Sequence, residues 1–171
     1  MKLPIALNGR IADGQEIDEG AAGIDERQFI TFQIGDEEYG VDILAVREIR
    51  AWSDVTMLPN TPDYVLGVLN LRGVILPVFD LRCRFGMGLA QPTGRHVIIV
   101  LATSEKLIGV LVDQVAEILL LSAAEIRTVP EMSFSIDQEF LAGLAAVNER
   151  LVALIDVEHM FDADSLLATR D

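Results

Sequence analysis

The sequence predicts a mainly β protein made of two similar lobes, related by an approximate twofold repeat and accompanied by a few short helices. Apolar and polar residues alternate in the segment 30–34, as in a strand with one face buried. Continuous apolar runs of strand length, typical of buried strands, occur at 74–79, 97–101 and 107–112. An internal repeat is the third observation, and it indicates that the strands form two copies of one unit.

The repeat is clearest between segments 40–49 and 109–118, which share five of ten residues at an offset of 109 − 40 = 69. A second set recurs in type at an offset of 76 and pairs Thr61, Gly67, Asp80 and Phe85 with Asp137, Gly143, Asp156 and Phe161. The offset changes only between the two sets, where loops tolerate insertions. The pattern predicts one lobe over about 29–90 and a second over about 95–161.

Local signals place the turns and short helices between the strands. Gly35-Asp36 supplies turn chemistry and predicts a hairpin between segments 30–34 and 39–43. Pro77 has no amide to donate, so its strand is expected to have an edge or a bulge there.

Thr61-Pro62-Asp63 predicts the start of a helix that Gly67 ends. Asp80 predicts a capped turn that runs through Phe85 and stops at Gly86.

Composition limits the partners and the boundaries of the folded part. The chain has 171 residues with 13 basic and 27 acidic side chains, a net charge of −14. Such a charge repels phosphate backbones and anionic lipids, which argues against nucleic acid and against direct membrane contact. Residues 1–27 are rich in glycine and acids and are predicted to be a flexible tail. A folded domain is expected over 28–162, with a frayed segment at 163–171.

The residues give no support for catalysis, a metal site or a cofactor. His96 and His159 are the only histidines, and neither has a neighbouring histidine or cysteine ligand. The sequence lacks a Gly-x-Ser-x-Gly elbow and a phosphate-binding Gly-x-x-x-x-Gly-Lys loop. Cys83, the single cysteine, lies between Arg82 and Arg84, which would lower its pKa if it were exposed. We therefore predict a protein that is not an enzyme.

The most specific signal is the segment 67–82, GVLNLRGVILPVFDLR. It closely resembles the signature of CheW-like domains, and segment 35–49 resembles the first hairpin of that family. The resemblance extends from about Gln28 to Phe161. It implies a pair of SH3-like five-stranded β-barrels, in agreement with the repeat.

The resemblance also implies a function based on binding. CheW-like adaptors couple the cytoplasmic tips of chemoreceptors to the regulatory domain of the CheA histidine kinase, without catalysis. The family places the receptor in a groove between the lobes and the kinase on the surfaces of the lobes. The implied location is the cytoplasm, where partners would hold the chain in membrane receptor arrays.

Positions of this chain can be matched to the family's two contact surfaces. The expected receptor-binding residues are Val46, Glu48, Gly67, Asn70 and Arg72. The expected kinase contacts are Val55, Met57 and Leu58. Val46, Glu48 and Gly67 recur in the second lobe and so have structural explanations too, whereas the position of Arg72 is occupied there by Asn148.

Two alternatives remain at this stage. One is a CheW-like binding module in a paralogous receptor–kinase pathway that does not serve chemotaxis. The other is a small hydrolase or sulfur-redox enzyme with Cys83 or His96 in its site. The adaptor predicts a long apolar groove between the lobes, whereas an enzyme predicts a concave pocket with converging titratable groups.

Overall fold

The computed structural model describes residues 26–129 and 138–162. Two five-stranded sheets dominate it, which confirms the predicted fold class. The strands are β1 (Arg27–Ile34), β2 (Glu37–Asp42), β3 (Val46–Ala51), β4 (Val65–Leu71), β5 (Val74–Asp80), β6 (Val97–Ala102), β7 (Leu107–Val112), β8 (Gln114–Leu121), β9 (Leu141–Val147) and β10 (Arg150–Ile155). The α-helices are α1 (Leu81–Arg84) and α2 (Val157–Met160), and 3₁₀ turns lie at Ile43–Ala45, Ala123–Glu125 and Gln138–Phe140.

The sheets combine strands from both halves of the chain. The first barrel has the strand order β3-β6-β7-β5-β4, and the second barrel has the order β8-β1-β2-β10-β9. In the repeat, β1 corresponds to β6, β2 to β7, β3 to β8, β4 to β9 and β5 to β10. Exchanging each strand with its counterpart converts one order into the other. The sequence repeat therefore corresponds to a structural repeat. However, β1 and β2 belong to the second barrel, and β6 and β7 belong to the first, so each half of the chain contributes its first two strands to the other barrel. The sequence division at 29–90 and 95–161 differs from the barrels, because similarity between halves does not reveal which strands pair.

The register of the strands follows the same twofold relationship. Leu154 of β10 lies opposite Gly40 of β2, and Val78 of β5 lies opposite Gly109 of β7, both in parallel pairs. These pairs are related by the sequence offsets of 69 and 76. A side chain at Gly40 or Gly109 would approach an apolar side chain to 3.1 Å, so both glycines allow close packing.

Three apolar cores hold the fold together. Each barrel encloses its own core, with Leu76 and Ile98 in the first and Phe29 and Leu154 in the second. A larger central core draws residues from both sheets and includes the stacked rings of Phe79 and Phe161. Because the largest core lies between the barrels, they pack as one folded unit.

An arginine joins the two repeats at the centre. Tyr64 and Phe140 are repeat partners at an offset of 76, and the Arg84 guanidinium lies 4.9 Å from the first ring centroid and 5.3 Å from the second. Such cation–π contacts are worth about 0.5–1 kcal/mol each at partly exposed sites. Arg84 therefore links equivalent aromatic residues of the two halves.

The capped helices are confirmed. The Asp80 carboxylate accepts from the Cys83 amide at the start of α1, and that of Asp156 accepts from the His159 amide at the start of α2. Gly86, with φ of 80°, follows the end of α1 as expected.

The helix predicted between Thr61 and Gly67 is wrong. A turn at residues 63–64 is closed by a 3.0 Å hydrogen bond from the Val65 amide to the Pro62 carbonyl, and Gly67 lies within β4. Gly67 and Gly143 recur because each sits at a bulge, between β4 and β5 or between β9 and β10. A glycine that ends a helix and one that permits a bulge look the same in sequence.

Pro77 is tolerated for a different reason from the one expected. Its strand, β5, lies between β7 and β4 and is not an edge. Pairing of β5 with β7 begins only at Val78, so the missing amide of Pro77 falls before that ladder starts.

The two tails predicted at 1–27 and 163–171 lie largely outside the described residues. Arg27 already belongs to β1 and pairs with Leu121 of β8, so the first strand begins slightly before the predicted start of the domain. Residues 1–25 and 163–171, together with the predicted cap Asp137, lie outside the described ranges.

Candidate functional site

The candidate site begins at the tight turn between β4 and β5. Arg72 and Gly73 have φ of 53° and 90°, the pair of positive values that a two-residue hairpin turn requires. The side-chain oxygen of Asn70 accepts a hydrogen bond of 2.8 Å from the Gly73 amide. The sequence Asn-Leu-Arg-Gly thus fixes the turn and directs the exposed Arg72 side chain from its tip.

Arg72 meets Glu48 of β3. The Nη1 atom of Arg72 lies 3.0 Å from Oε1 of Glu48, and Nη1 of Arg50 lies 3.5 Å from the second oxygen. The Arg72 side chain is 75% exposed, whereas that of Glu48 is 24% exposed. Glu48 is therefore a partly buried carboxylate between two arginines, one of which projects to the surface.

The second barrel carries a related but different arrangement. Glu117, the repeat partner of Glu48, pairs with Arg150 at the start of β10. Arg150 also lies 2.8 Å from the buried carboxylate of Glu38. The glutamate recurs in both halves because each copy forms an ion pair with an arginine of the neighbouring hairpin. Only the first barrel places an arginine on the turn itself, because Asn148 occupies that position in the second.

Gly67 supports this surface from beneath. It is buried with φ of 151°, and a Cβ atom there would lie 2.3 Å from the Thr56 carbonyl oxygen. Backbone hydrogen bonds of 3.0 Å and 2.8 Å join Thr56 to Val68 at this point. Gly67 therefore permits the close approach of the β3–β4 connection to β4, and its role is one of backbone geometry.

Val46 lies at the start of β3, partly buried against the central core. It pairs with Leu101, and the register shifts at Arg47 before Glu48 pairs with Val100. The same shift occurs in β8 at Ala116, the repeat partner of Arg47. Val46 thus connects the Glu48 surface to the junction between the barrels.

The two junctions between the barrels are related by the repeat but differ in chemistry. At one, Asp113 Oδ2 accepts from the Gly35 amide at 2.8 Å and from Arg82 at 2.9 Å. Asp113 Oδ1 lies 3.8 Å from Nε2 of His96. These polar contacts close this junction between the β1–β2 turn, α1 and the β7–β8 connection.

The other junction is an open cleft of about 390 Å³. The repeat partner of Asp113 is Leu44, whose side chain is 79% exposed there. Apolar side chains line the cleft, namely Leu44, Ala45, Ala102, Ala142, Ile155 and Val157. Charged side chains complete it, namely Arg27, Asp42, Asp156 and Glu158. Leu44 is not among the site residues predicted from the sequence. The signal that could have indicated it is its alignment with Asp113, since an apolar residue and an acid occupy equivalent positions of the repeat.

The expected kinase contacts lie on the connection from β3 to β4. Met57 is 80% exposed and Leu58 is 42% exposed, while Val55 is partly buried against the core of the first barrel. Large apolar side chains in this position form an accessible apolar surface at the barrel end. They lie close to Gly67 through the Thr56–Val68 bridge.

The lowered pKa that the flanking arginines would give an exposed Cys83 does not occur in the folded protein. Burial raises the pKa of this thiol, and the negative charges of Asp80 and Asp63 add to the effect. The flanking arginines do not offset this, because Arg82 binds Asp113 and Arg84 stacks between aromatic rings. A raised pKa disfavours the thiolate, so Cys83 lacks the property that a sulfur-based catalyst needs.

The described residues offer no other reactive assembly around His96. Its Nδ1 accepts from the Thr93 amide at 3.1 Å, and its Nε2 faces Asp113. No group of three or more metal-ligating side chains occurs in residues 26–129 and 138–162. No helix in these ranges is long and apolar enough to cross a membrane. What the geometry does present is an open cleft and, on β3 next to it in sequence, a glutamate paired with the exposed Arg72 of the β4–β5 turn.

The amino-acid sequence matches a known protein family. The CheW-like domain family matches residues 28–165. The chain belongs to the CheW-like family.

Individual relatives extend over most of the chain. It is 46% identical over 136 residues to the probable chemotaxis protein CheW of Rhizobium etli, covering 80% of this chain and 88% of the relative. It is 42% identical over 138 residues to the chemotaxis protein CheW of Rhizobium meliloti, covering 81% and 89%. The crystal structure of the scaffolding protein TtCheW from Thermoanaerobacter tengcongensis is similar with a TM-score of 0.74 and 30% identity, covering 81% of this chain and 90% of that one. The CheW-like assignment made from segment 67–82 is confirmed.

Proposed function

We propose that this chain is the chemotaxis scaffold that couples chemoreceptor tips to a CheA-type histidine kinase, acting by binding and without catalysis. Its membership of the CheW-like family carries the chemotaxis scaffold role. The observation that supports a coupling function within the fold is the open cleft, whose lining residue Ala45 directly precedes β3, the strand that carries Glu48 of the Glu48–Arg72 pair. An adaptor of this kind works in the cytoplasm and is held at membrane arrays through its partners.

The receptor side of the proposal uses Val46, Glu48, Gly67, Asn70 and Arg72. Glu48 and Arg72 present opposite charges at an accessible surface, and a guanidinium can form forked hydrogen bonds to carboxylates or carbonyls. Asn70 holds the turn and Gly67 holds the backbone beneath it. The direct contacts are therefore assigned to Glu48 and Arg72, with Val46 following Ala45, which lines the cleft.

The kinase side uses the exposed apolar residues Met57 and Leu58, with Val55 beneath them. Apolar contacts at the centre of a protein–protein interface carry much of its affinity. Separate surfaces for the two partners allow one chain to bind both at once, as coupling requires.

The test is a pair of titrations with a receptor-tip fragment and with the kinase regulatory domain. Glu48→Lys should weaken receptor binding and leave kinase binding unchanged, while Met57→Ser should do the reverse. Glu149→Lys makes the same charge change on the equivalent turn of the second barrel and should affect neither. Wild-type chain that binds neither partner would contradict the proposal, and loss of both partners in each variant would contradict the separation of surfaces.

A further inference from the structure

The first strand begins at the rim of the open cleft. Arg27, the first residue of β1, lines the cleft, and its Nη2 atom lies 2.9 Å from the carboxylate of Asp42 on the same rim. Residues 1–25 are therefore attached within a few residues of an apolar cleft that nothing in the described chain fills.

The rim of this cleft is acidic. Asp42, Asp156 and Glu158 supply three negative charges, against one positive charge from Arg27. Asp156 caps α2 and Asp42 caps the 3₁₀ turn, so both carboxylates are fixed in place. The cleft therefore favours an occupant that combines apolar side chains with positive charge.

The sequence before Arg27 divides into two parts of opposite character. Residues 1–11 contain Lys2 and Arg10, no acid, and the apolar side chains Leu3, Ile5, Leu7 and Ile11. Residues 12–25 contain five acids and no basic residue. An acidic rim repels the second part and attracts the first.

We propose that residues 2–10 dock in this cleft and compete with the receptor for it. The competition rests on the function proposed above, whereas the docking does not. Lys2 and Arg10 lie on either side of Leu3-Pro4-Ile5-Ala6-Leu7, so the positive charges can meet the acidic rim while the apolar residues enter the cleft. The occupant is thus a segment of the chain itself.

Chain length makes this contact feasible at low intrinsic affinity. Sixteen residues, 11–26, connect the segment to Arg27, and a tether of that length spans about 20 Å on average. A short tether of this kind gives an effective concentration on the order of 1 mM. A segment with only millimolar affinity would therefore occupy the cleft about half of the time.

A second copy of the chain is a poorer occupant. Each copy carries a net charge of −14, so two copies repel each other. A second chain also lacks the advantage of the tether unless its concentration reaches the millimolar range.

The test uses the full chain with substitutions in the segment. Ile5→Ser with Leu7→Ser removes the apolar side chains proposed to enter the cleft, and Ile17→Ser with Ile24→Ser is the matched control in the acidic part. Amide NMR shifts of Leu44, Ala45, Ala102 and Val157 should change in the first variant and stay unchanged in the control. Higher salt should move the wild-type shifts toward those of the first variant, because screening weakens the charge contacts.

Receptor titration separates docking from competition. If the segment occupies the cleft about half of the time, the Ile5/Leu7 variant should bind a receptor-tip fragment about twofold more tightly than wild type. Cleft shifts that do not respond to the Ile5/Leu7 substitutions overturn the docking, as do shifts that depend on protein concentration, which would identify a second copy. Cleft shifts that respond while receptor affinity is unchanged overturn the competition. If the cleft shifts respond to the Ile5/Leu7 substitutions but the chain does not bind the receptor-tip fragment, the docking is supported and only the proposed function is contradicted.

Discussion

Arg72 and Glu48 lie 24 residues apart in sequence, yet the guanidinium of one is 3.0 Å from the carboxylate of the other. The Arg72 side chain is 75% exposed, and exposed ion pairs contribute only about 0–1 kcal/mol to stability. The pair therefore does little for folding. It holds two charged groups in a defined position on an accessible surface, which suits recognition of a partner.

The first prediction is that Arg72→Asn weakens receptor binding without lowering stability. Arg72 has φ of 53°, and asparagine is among the residues that tolerate this region best. The second barrel already carries Asn148 at the equivalent turn position, with φ of 49°. Loss of a partly desolvated charged contact should cost about 2 kcal/mol, or roughly thirtyfold in receptor affinity. Calorimetric titration and a thermal melt measure the two effects.

Arg95→Asn is the matched control, because it makes the same charge change on the exposed connection before β6. It should leave receptor affinity unchanged. A drop in melting temperature for Arg72→Asn, with both partners affected, would instead show that Arg72 braces the turn.

The second prediction is that Gly67→Ala destabilises the whole fold. The new Cβ would lie 2.3 Å from the backbone oxygen of Thr56, which cannot move without breaking the Thr56–Val68 bridge. We expect a loss of about 2–4 kcal/mol in the free energy of unfolding. Gly143→Ala should cost less, because the nearest backbone atom, the Arg127 oxygen, would lie 3.0 Å from the new Cβ, and the closer contact, at 2.5 Å, is with a side-chain methyl of Ile126. Urea denaturation of the two variants gives the comparison.

Gly88→Ala controls for backbone strain alone. Gly88 has φ of 91°, and a Cβ there would meet nothing within 4 Å. It should cost only about 1 kcal/mol. Equal losses for Gly67→Ala and Gly88→Ala would mean that the close approach to Thr56 is unimportant. A stable Gly67→Ala protein with selectively weakened receptor binding would place Gly67 in the interface itself.

Local signals predicted the parts of the fold that local chemistry decides. The Gly35-Asp36 hairpin and the caps Asp80 and Asp156 depend on residues close in sequence, and all are confirmed. The exchange of strands between the halves could not be predicted, because it depends on pairings such as Gly40 with Leu154. No local pattern distinguishes pairing within a repeat from pairing between repeats.

The candidate site was predictable in its polar part and not in its shape. The family motif located Asn70 and Arg72, but the Glu48–Arg72 contact and the cleft require the barrels to be assembled. Cys83 shows the same limit. The neighbouring arginines Arg82 and Arg84 would lower the pKa of an exposed thiol. In the folded protein, burial and then the charges of Asp80 and Asp63 raise that pKa, and Arg82 pairs with Asp113 instead.

The third prediction concerns the closed junction. Asp113→Asn should lower the free energy of unfolding by about 1–2 kcal/mol, because the charged acceptor for Arg82 is lost while one hydrogen bond to Gly35 can remain. Asp36→Asn, the same change on the exposed turn next to Gly35, should have little effect. Urea unfolding at neutral pH measures both. Equal stability of the two variants would show that the junction is held by the apolar core alone.

The last prediction uses Tyr39, which is fully buried and donates its hydroxyl hydrogen bond to Glu37. Burial first, and then the hydrogen bond and negative charge of Glu37, raise the pKa of Tyr39 well above its ordinary value. The unfolded chain releases this proton near pH 10, whereas the folded chain retains it. The contribution to stability is therefore complete below about pH 10 and is lost as pH rises toward the folded-state pKa.

We expect the free energy of unfolding to fall by up to about 1.4 kcal/mol per pH unit above about pH 10 on account of this group. Tyr39→Phe cannot titrate, so its stability should decline with pH less steeply by that amount, although losing the hydrogen bond to Glu37 costs about 1 kcal/mol at neutral pH. Urea unfolding of both proteins between about pH 8 and 11 gives the two slopes. Parallel declines would contradict the prediction, because they would show that Tyr39 ionises as readily in the folded protein as in the unfolded chain.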